Sequence, residues 1–214
     1  MEIPSMHLSA IKNALVWFLA EVLFATVLVN VASASEEWSR FRGVNGSGQS
    51  DAVTVPIEWT PEDYNWQVPL PGIGHSSPVI SGGRVVVTSG DPEGATRHVL
   101  CLRSSDGSQI WSREFPSASH HLHARNSYAS STPALDEEHV FFMWATPDAY
   151  HLVALNLENG RTVWRVNLGE FKSQHGFATS PIVYRDSVIV ANEQLGRSEE
   201  RRVGKESRSR WSPY

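Results

Sequence analysis

HVLCLRSSDGSQIWSREF (98–115) and HLVALNLENGRTVWRVNL (151–168) are two copies of one unit, and their reading decides the fold. Each copy is an apolar run, a polar turn and a second run ending past a tryptophan. The turns carry Asp106-Gly107 and Asn159-Gly160, dipeptides that take positive φ at little cost and so close tight β-hairpins. Trp111 and Trp164 follow those glycines by four residues each and lie 53 apart. Such a spacing is a repeat, not chance similarity within one hairpin.

Three further segments interleave with these units: SSPVISGGRVVVTS (76–89), SSTPALDEEHVFFMW (130–144) and TSPIVYRDSVIVAN (179–192). Each reads as hydroxyl-Pro, short apolar run, polar turn, second apolar run, again a hairpin. Pro78, Pro133 and Pro181 are spaced by 55 and 48 residues, close to the tryptophan period. Two hairpins per period make four strands, and Trp66 in NWQVPL holds the tryptophan place ahead of the first full unit. The expectation is an all-β chain, a partial and truncated β-propeller of four-stranded Trp-docking repeats over 35–196. A tryptophan on a blade's last strand buries a large flat surface on the next blade, and glycine permits the close approach. A β-sandwich that uses the same tryptophans as core residues is the alternative.

On these residues the chain resembles the quinoprotein-type family of PQQ-like repeat propellers. Ala154, Gly160 and Trp164 match its docking motif, with Asn156 and Asn159 at the acidic and threonine places; the earlier copy keeps Gly107 and Trp111. The opening WSRFRGVNGSG (38–48) is similar to the start of exported proteins with this domain. The resemblance implies that pyrroloquinoline quinone and calcium can sit at the propeller axis of relatives that oxidise alcohols or sugars. Those alcohol dehydrogenases carry an adjacent cysteine pair, whereas this chain has only Cys101. Another relative, an outer-membrane assembly factor, binds partners through loops and is lipid-anchored at an N-terminal cysteine that this chain lacks.

Composition agrees with a folded, exported chain: 41% of the 214 residues are hydrophobic and 19% charged. The formal charge of −5 conceals a basic end, with six Arg or Lys against three Glu over 197–214. The acidic body disfavours nucleic acid. Lys12, the apolar run 14–31 and Ala32-Ser33-Ala34 read as a signal peptide over 1–34, cleaved after Ala34, which predicts a periplasmic or extracellular protein with no stable membrane span afterwards. An uncleaved anchor competes with this, although Glu21 interrupts the run. From Arg197 the repeat gives way to an Arg-rich string that resembles a translated sequencing adapter, so 197–214 is expected to be artefactual or disordered. Asn45-Gly46-Ser47 fits a glycosylation sequon.

Candidate chemistry is sparse. His120, His121 and His123 in SASHHLHARNS could offer imidazoles to a metal, and His75 and His175 stand in the corresponding inter-blade loops. Loop histidines bonded to local carbonyls are the simpler expectation, since no carboxylate or cysteine stands at ligand spacing. Ser77, Thr132 and Ser180 precede the prolines and read as structural hydroxyls, not nucleophiles. No catalytic motif appears. The leading expectation is a non-catalytic binding or scaffold propeller, with a protein, peptide or saccharide ligand on its loop face. A quinone-dependent dehydrogenase fragment and an envelope assembly accessory factor are the alternatives.

Overall fold

The computed structural model describes residues 37–52, 55–194 and 197–204. Among them the regular structure is eleven β-strands and two short 3-10 turns. The first sheet runs β1 (Val79–Ser81), β2 (Arg84–Gly90), β3 (Arg97–Arg103) and β4 (Gln109–Phe115) in sequence order. The second repeats it with β5 (Ala134–Leu135), β6 (His139–Thr146), β7 (Ala149–Asn156) and β8 (Thr162–Asn167). The third holds β9 (Ile182–Tyr184), β10 (Ser187–Gln194) and β11 (Arg197–Gly204), all pairs antiparallel. Each sheet is a meander of chain neighbours, and no strand crosses from one sheet to another, which rules out the sandwich.

The two complete sheets match in detail. Each β-bulge falls at the same place in the repeat, between Cys101 and Leu102 and between Ala154 and Leu155. The turns differ from the two-residue type that Asp-Gly and Asn-Gly predict. Only Gly107 and Gly160 take positive φ, near 70°, while the loop widens so that the Arg103 amide donates to the Ser108 carbonyl. The asparagine of the second copy acts through its side chain, accepting from the Arg161 amide.

Alternation along β6 explains why HVFFMWAT is apolar almost throughout. Val140, Phe142 and Trp144 face the first sheet, packed with Val86, Val99, Cys101 and Trp111. Phe141, Met143 and Ala145 face the third sheet, packed with Val188 and Val190. A strand with one neighbour on each face has no solvent side, so period-2 patterning disappears. The outer face of the first sheet, Val85, Val87, Leu100 and Leu102, is covered by Trp66 and Val68.

Residues 197–204, set aside from the sequence as artefactual or disordered, form β11 along the whole of β10, from Gln194↔Arg197 to Ser187↔Gly204. A backbone ladder needs no apolar side-chain pattern, so the loss of periodicity after residue 196 does not prevent this pairing. The expected signal peptide and residues 205–214 lie outside the described residues. Among the described residues no helix is long and apolar enough to cross a membrane.

Candidate ligand groove on the inter-blade loops

Tryptophans key the first sheet to the second and the N-terminal segment to the first sheet. Trp111, at the end of the first sheet, lies so close to Gly160 that a Cβ there would stand 2.6 Å from its ring. Its indole nitrogen donates to the Leu157 carbonyl at 2.9 Å. Trp66 repeats this on the first sheet, 2.6 Å from a Cβ at Gly107 and bonded to the Ser104 carbonyl. Trp38 stacks on Gly43, which the docking motif did not anticipate. Arg113 adds a latch, donating to the carbonyls of Gly160 and Asn159.

The pre-proline hydroxyls form a second inter-sheet ladder. The Thr132 hydroxyl accepts from the Ser77 amide at 2.9 Å, and the Ser180 hydroxyl accepts from the Thr132 amide at 3.0 Å. Because Pro78, Pro133 and Pro181 hold the next residue without an N–H, each preceding residue stays extended and presents its amide to the neighbouring sheet. These contacts span 55 and 48 residues, the proline spacings themselves. The Thr132 and Ser180 hydroxyls act as acceptors in a scaffold.

These keys bring the loops before β1, β5 and β9 to one end of the sheets. There His75, His123 and His175 line an open groove of about 770 Å³ together with Arg40, Arg42 and Arg125. The His123 and His175 rings meet edge-on at 5.3 Å. Asn126 donates to the His175 carbonyl, which ties the second loop to the third. The N-terminal segment reaches the groove because Trp38 pairs with Ile80 and the Ser39 carbonyl accepts from the Leu135 amide, which puts the residues that follow, Arg40 to Arg42, at its wall. Among the described residues no Asp or Glu lines it. Six groups that are or can become cationic, with no carboxylate among them, give a site for negative charge.

The three histidines singled out as metal candidates are separated. His123 lines the groove, His121 is exposed, and His120 lies against Tyr128 with ring centroids 5.2 Å apart. Burial lowers the His120 pKa, partly offset by its contact with the Ala118 carbonyl. Among the described residues no three His, Cys, Asp or Glu side chains gather closely enough to hold a metal. Cys101 is buried, and desolvation pushes its thiol up to about 11, against a smaller opposing effect of Arg84. The groove arginines were missed from sequence. Their signal was present in WSRFRG and HARNS, but a short Arg-containing stretch gives no hint that the loops converge.

Four-stranded meanders, stacked side by side and keyed by tryptophan on glycine, define a β-propeller of PQQ-like repeats. The family model described as "Outer membrane protein assembly factor BamB" matches residues 59–204, more than half of the chain, and the chain belongs to that family. Among solved structures it is similar to the quinohemoprotein alcohol dehydrogenase ADHIIG from Pseudomonas putida HK5, at 14% identity and a TM-score of 0.51, over 82% of this chain and 26% of that one. It is also similar to BamB from Moraxella catarrhalis, at 18% identity and a TM-score of 0.42, over 65% of this chain and 44% of that one. The chain thus spans about a quarter of the dehydrogenase and less than half of that BamB. No curated protein matches it significantly.

Proposed function

We propose that this chain is part of an exported, non-catalytic propeller whose loop face captures an acidic segment of a protein partner in the cell envelope. The carrying observation is the groove in which Arg40, Arg42 and Arg125 join His75, His123 and His175 with no carboxylate among its walls. Guanidinium groups on successive loops suit carboxylates, because their planar forks donate two bonds at once. The family description, an outer-membrane assembly factor, supports a binding role. The scaffold serves by rigidity: keyed sheets hold the cations in place before the ligand arrives.

The second reading, a quinone-dependent dehydrogenase, meets a chemical mismatch at this groove. Calcium takes carboxylate and carbonyl oxygens, and the described groove walls offer guanidinium and imidazole groups, two serines and Asn126, whose carbonyl oxygen already accepts from Ser127 and Ser130. Binding therefore fits the donor set better than oxidation does.

Calorimetric titration of the purified protein with a Glu-rich peptide and with a Lys-rich control tests this. The Glu-rich peptide is expected to bind, more weakly as salt rises, and about tenfold or more weakly to the Arg42→Glu, Arg125→Glu double variant. Equal binding of both peptides, or dye-linked alcohol oxidation after quinone and calcium are added, would overturn the reading.

A further inference from the structure

Arg97 opens β3 and is only 2% exposed. Its guanidinium lies 4.5 Å over the Tyr128 ring, and one terminal nitrogen donates to the Ala95 carbonyl. The Nε is buried and has no hydrogen-bond partner. None of the three ion pairs among the described residues includes Arg97. Burial draws its pKa down to about 10, which leaves it charged at neutral pH. A charge taken out of water calls for an opposite charge close by. Tyr128 offers Arg97 its ring face, while its hydroxyl is engaged with His120, donating to the carbonyl and accepting from the amide.

Beside the guanidinium is a small cavity between β3 and β6, walled by Arg97, Tyr128, Ser131, Trp144 and Phe177. It leaves about 10 Å³ for the centre of a water-sized sphere, which is room for one small occupant. The serines there are committed elsewhere: Ser131 donates to the Thr179 carbonyl, and Ser127 pairs with Ser130. Among the described residues no Asp or Glu lines the cavity. Further positive charge stands behind it, because Arg165 lies 4.9 Å over the Trp144 ring. A water molecule in the cavity would leave the charge uncompensated, whereas a halide would balance it.

We propose that this inter-blade cavity binds one chloride-sized monovalent anion, held by Arg97, which ties the Tyr128 loop to β6. The site adjoins the groove at Ser130 but shares neither Arg40, Arg42 nor Arg125 with it, and does not depend on the function proposed above.

Crystals of the protein grown in sodium bromide and measured at the bromine edge decide the matter. The expected result is an anomalous peak in the cavity within contact distance of Arg97. No bromide in the cavity overturns the proposal, whatever fills it instead. Thermal unfolding in chloride and in gluconate at equal ionic strength gives a second readout, with Tm a few degrees higher in chloride. That difference is expected to vanish in Arg97→Gln and to persist in the control Arg165→Gln. An undiminished difference in Arg97→Gln also overturns the proposal.

Discussion

The contact between the first and second sheets differs in kind from that between the second and third. Across the first, Trp111 is 6% exposed on Gly160, bonded through its indole nitrogen, and flanked by the Arg113 latch. Across the second, Val188 and Val190 pack on Phe141 and Met143, and the Tyr150 hydroxyl donates to the Ala191 carbonyl. The residue equivalent to Trp111, Trp164, is half-buried and lies 5.9 Å from Phe141 of its own sheet, and the turn one repeat beyond Leu157–Gly160 lies outside the described residues. Apolar area holds sheets together but tolerates sliding; a ring seated on a glycine with a bonded nitrogen fixes their register. The groove needs that register, because its cations come from loops separated by whole repeats.

Removing the ring should have the largest effect. Trp111→Ala is expected to destabilise by about 3–5 kcal/mol, and Trp164→Ala by clearly less, in parallel chemical denaturation. Equal losses would erase the distinction between the two contacts. Next comes the receiving glycine. Gly160→Ala combines positive φ with a ring collision and should cost about 2–4 kcal/mol, whereas Gly169→Ala, at φ +102 with nothing within 4 Å, should cost about 1 kcal/mol. The gap between them isolates the collision from backbone strain. Smaller still is the hydroxyl ladder, where Thr132→Val leaves the Ser77 amide without its acceptor and should cost about 1–2 kcal/mol.

A pH effect follows from His151, which packs on Trp144 with ring centroids 4.6 Å apart. Desolvation first, then Arg165 and Arg97, push its pKa down from 6.5 to about 4. The unfolded chain therefore binds this proton more readily than the folded one. Stability is at its full value above about pH 6.5 and falls as pH drops from there towards about 4. In His151→Gln that part of the acid sensitivity should disappear, as measured by Tm across the same window.

Much of the architecture was legible because it is periodic. Gly107 and Trp111 recur as Gly160 and Trp164, and the pre-proline hydroxyls recur at the spacing that the hydrogen bonds then span. What lacked a period was harder to read. β11 pairs through its backbone, so its Arg-rich sequence carried no strand signal. Trp38 on Gly43 belongs to no full repeat copy. Arg97 sits at the head of an apolar strand, and nothing in RHVLCLR distinguishes a buried arginine from one that reaches solvent. His120, His121 and His123 are metal candidates by residue type alone, with bonding to local carbonyls the simpler expectation; of these only His123 joins His75 and His175 in the groove, where the arginines, unannounced by any period, support the anion-binding proposal.

The claim that sheets are registered by tryptophan on the next sheet's turn glycine is tested most directly by a double-mutant cycle of Trp111→Ala and Gly160→Ala. If the ring occupies the space above Gly160, alanine at 160 loses its collision once the ring is gone, and the two losses fall short of additivity by about 1–3 kcal/mol. Additivity within about 0.5 kcal/mol would mean that the two residues do not meet, and would contradict the account.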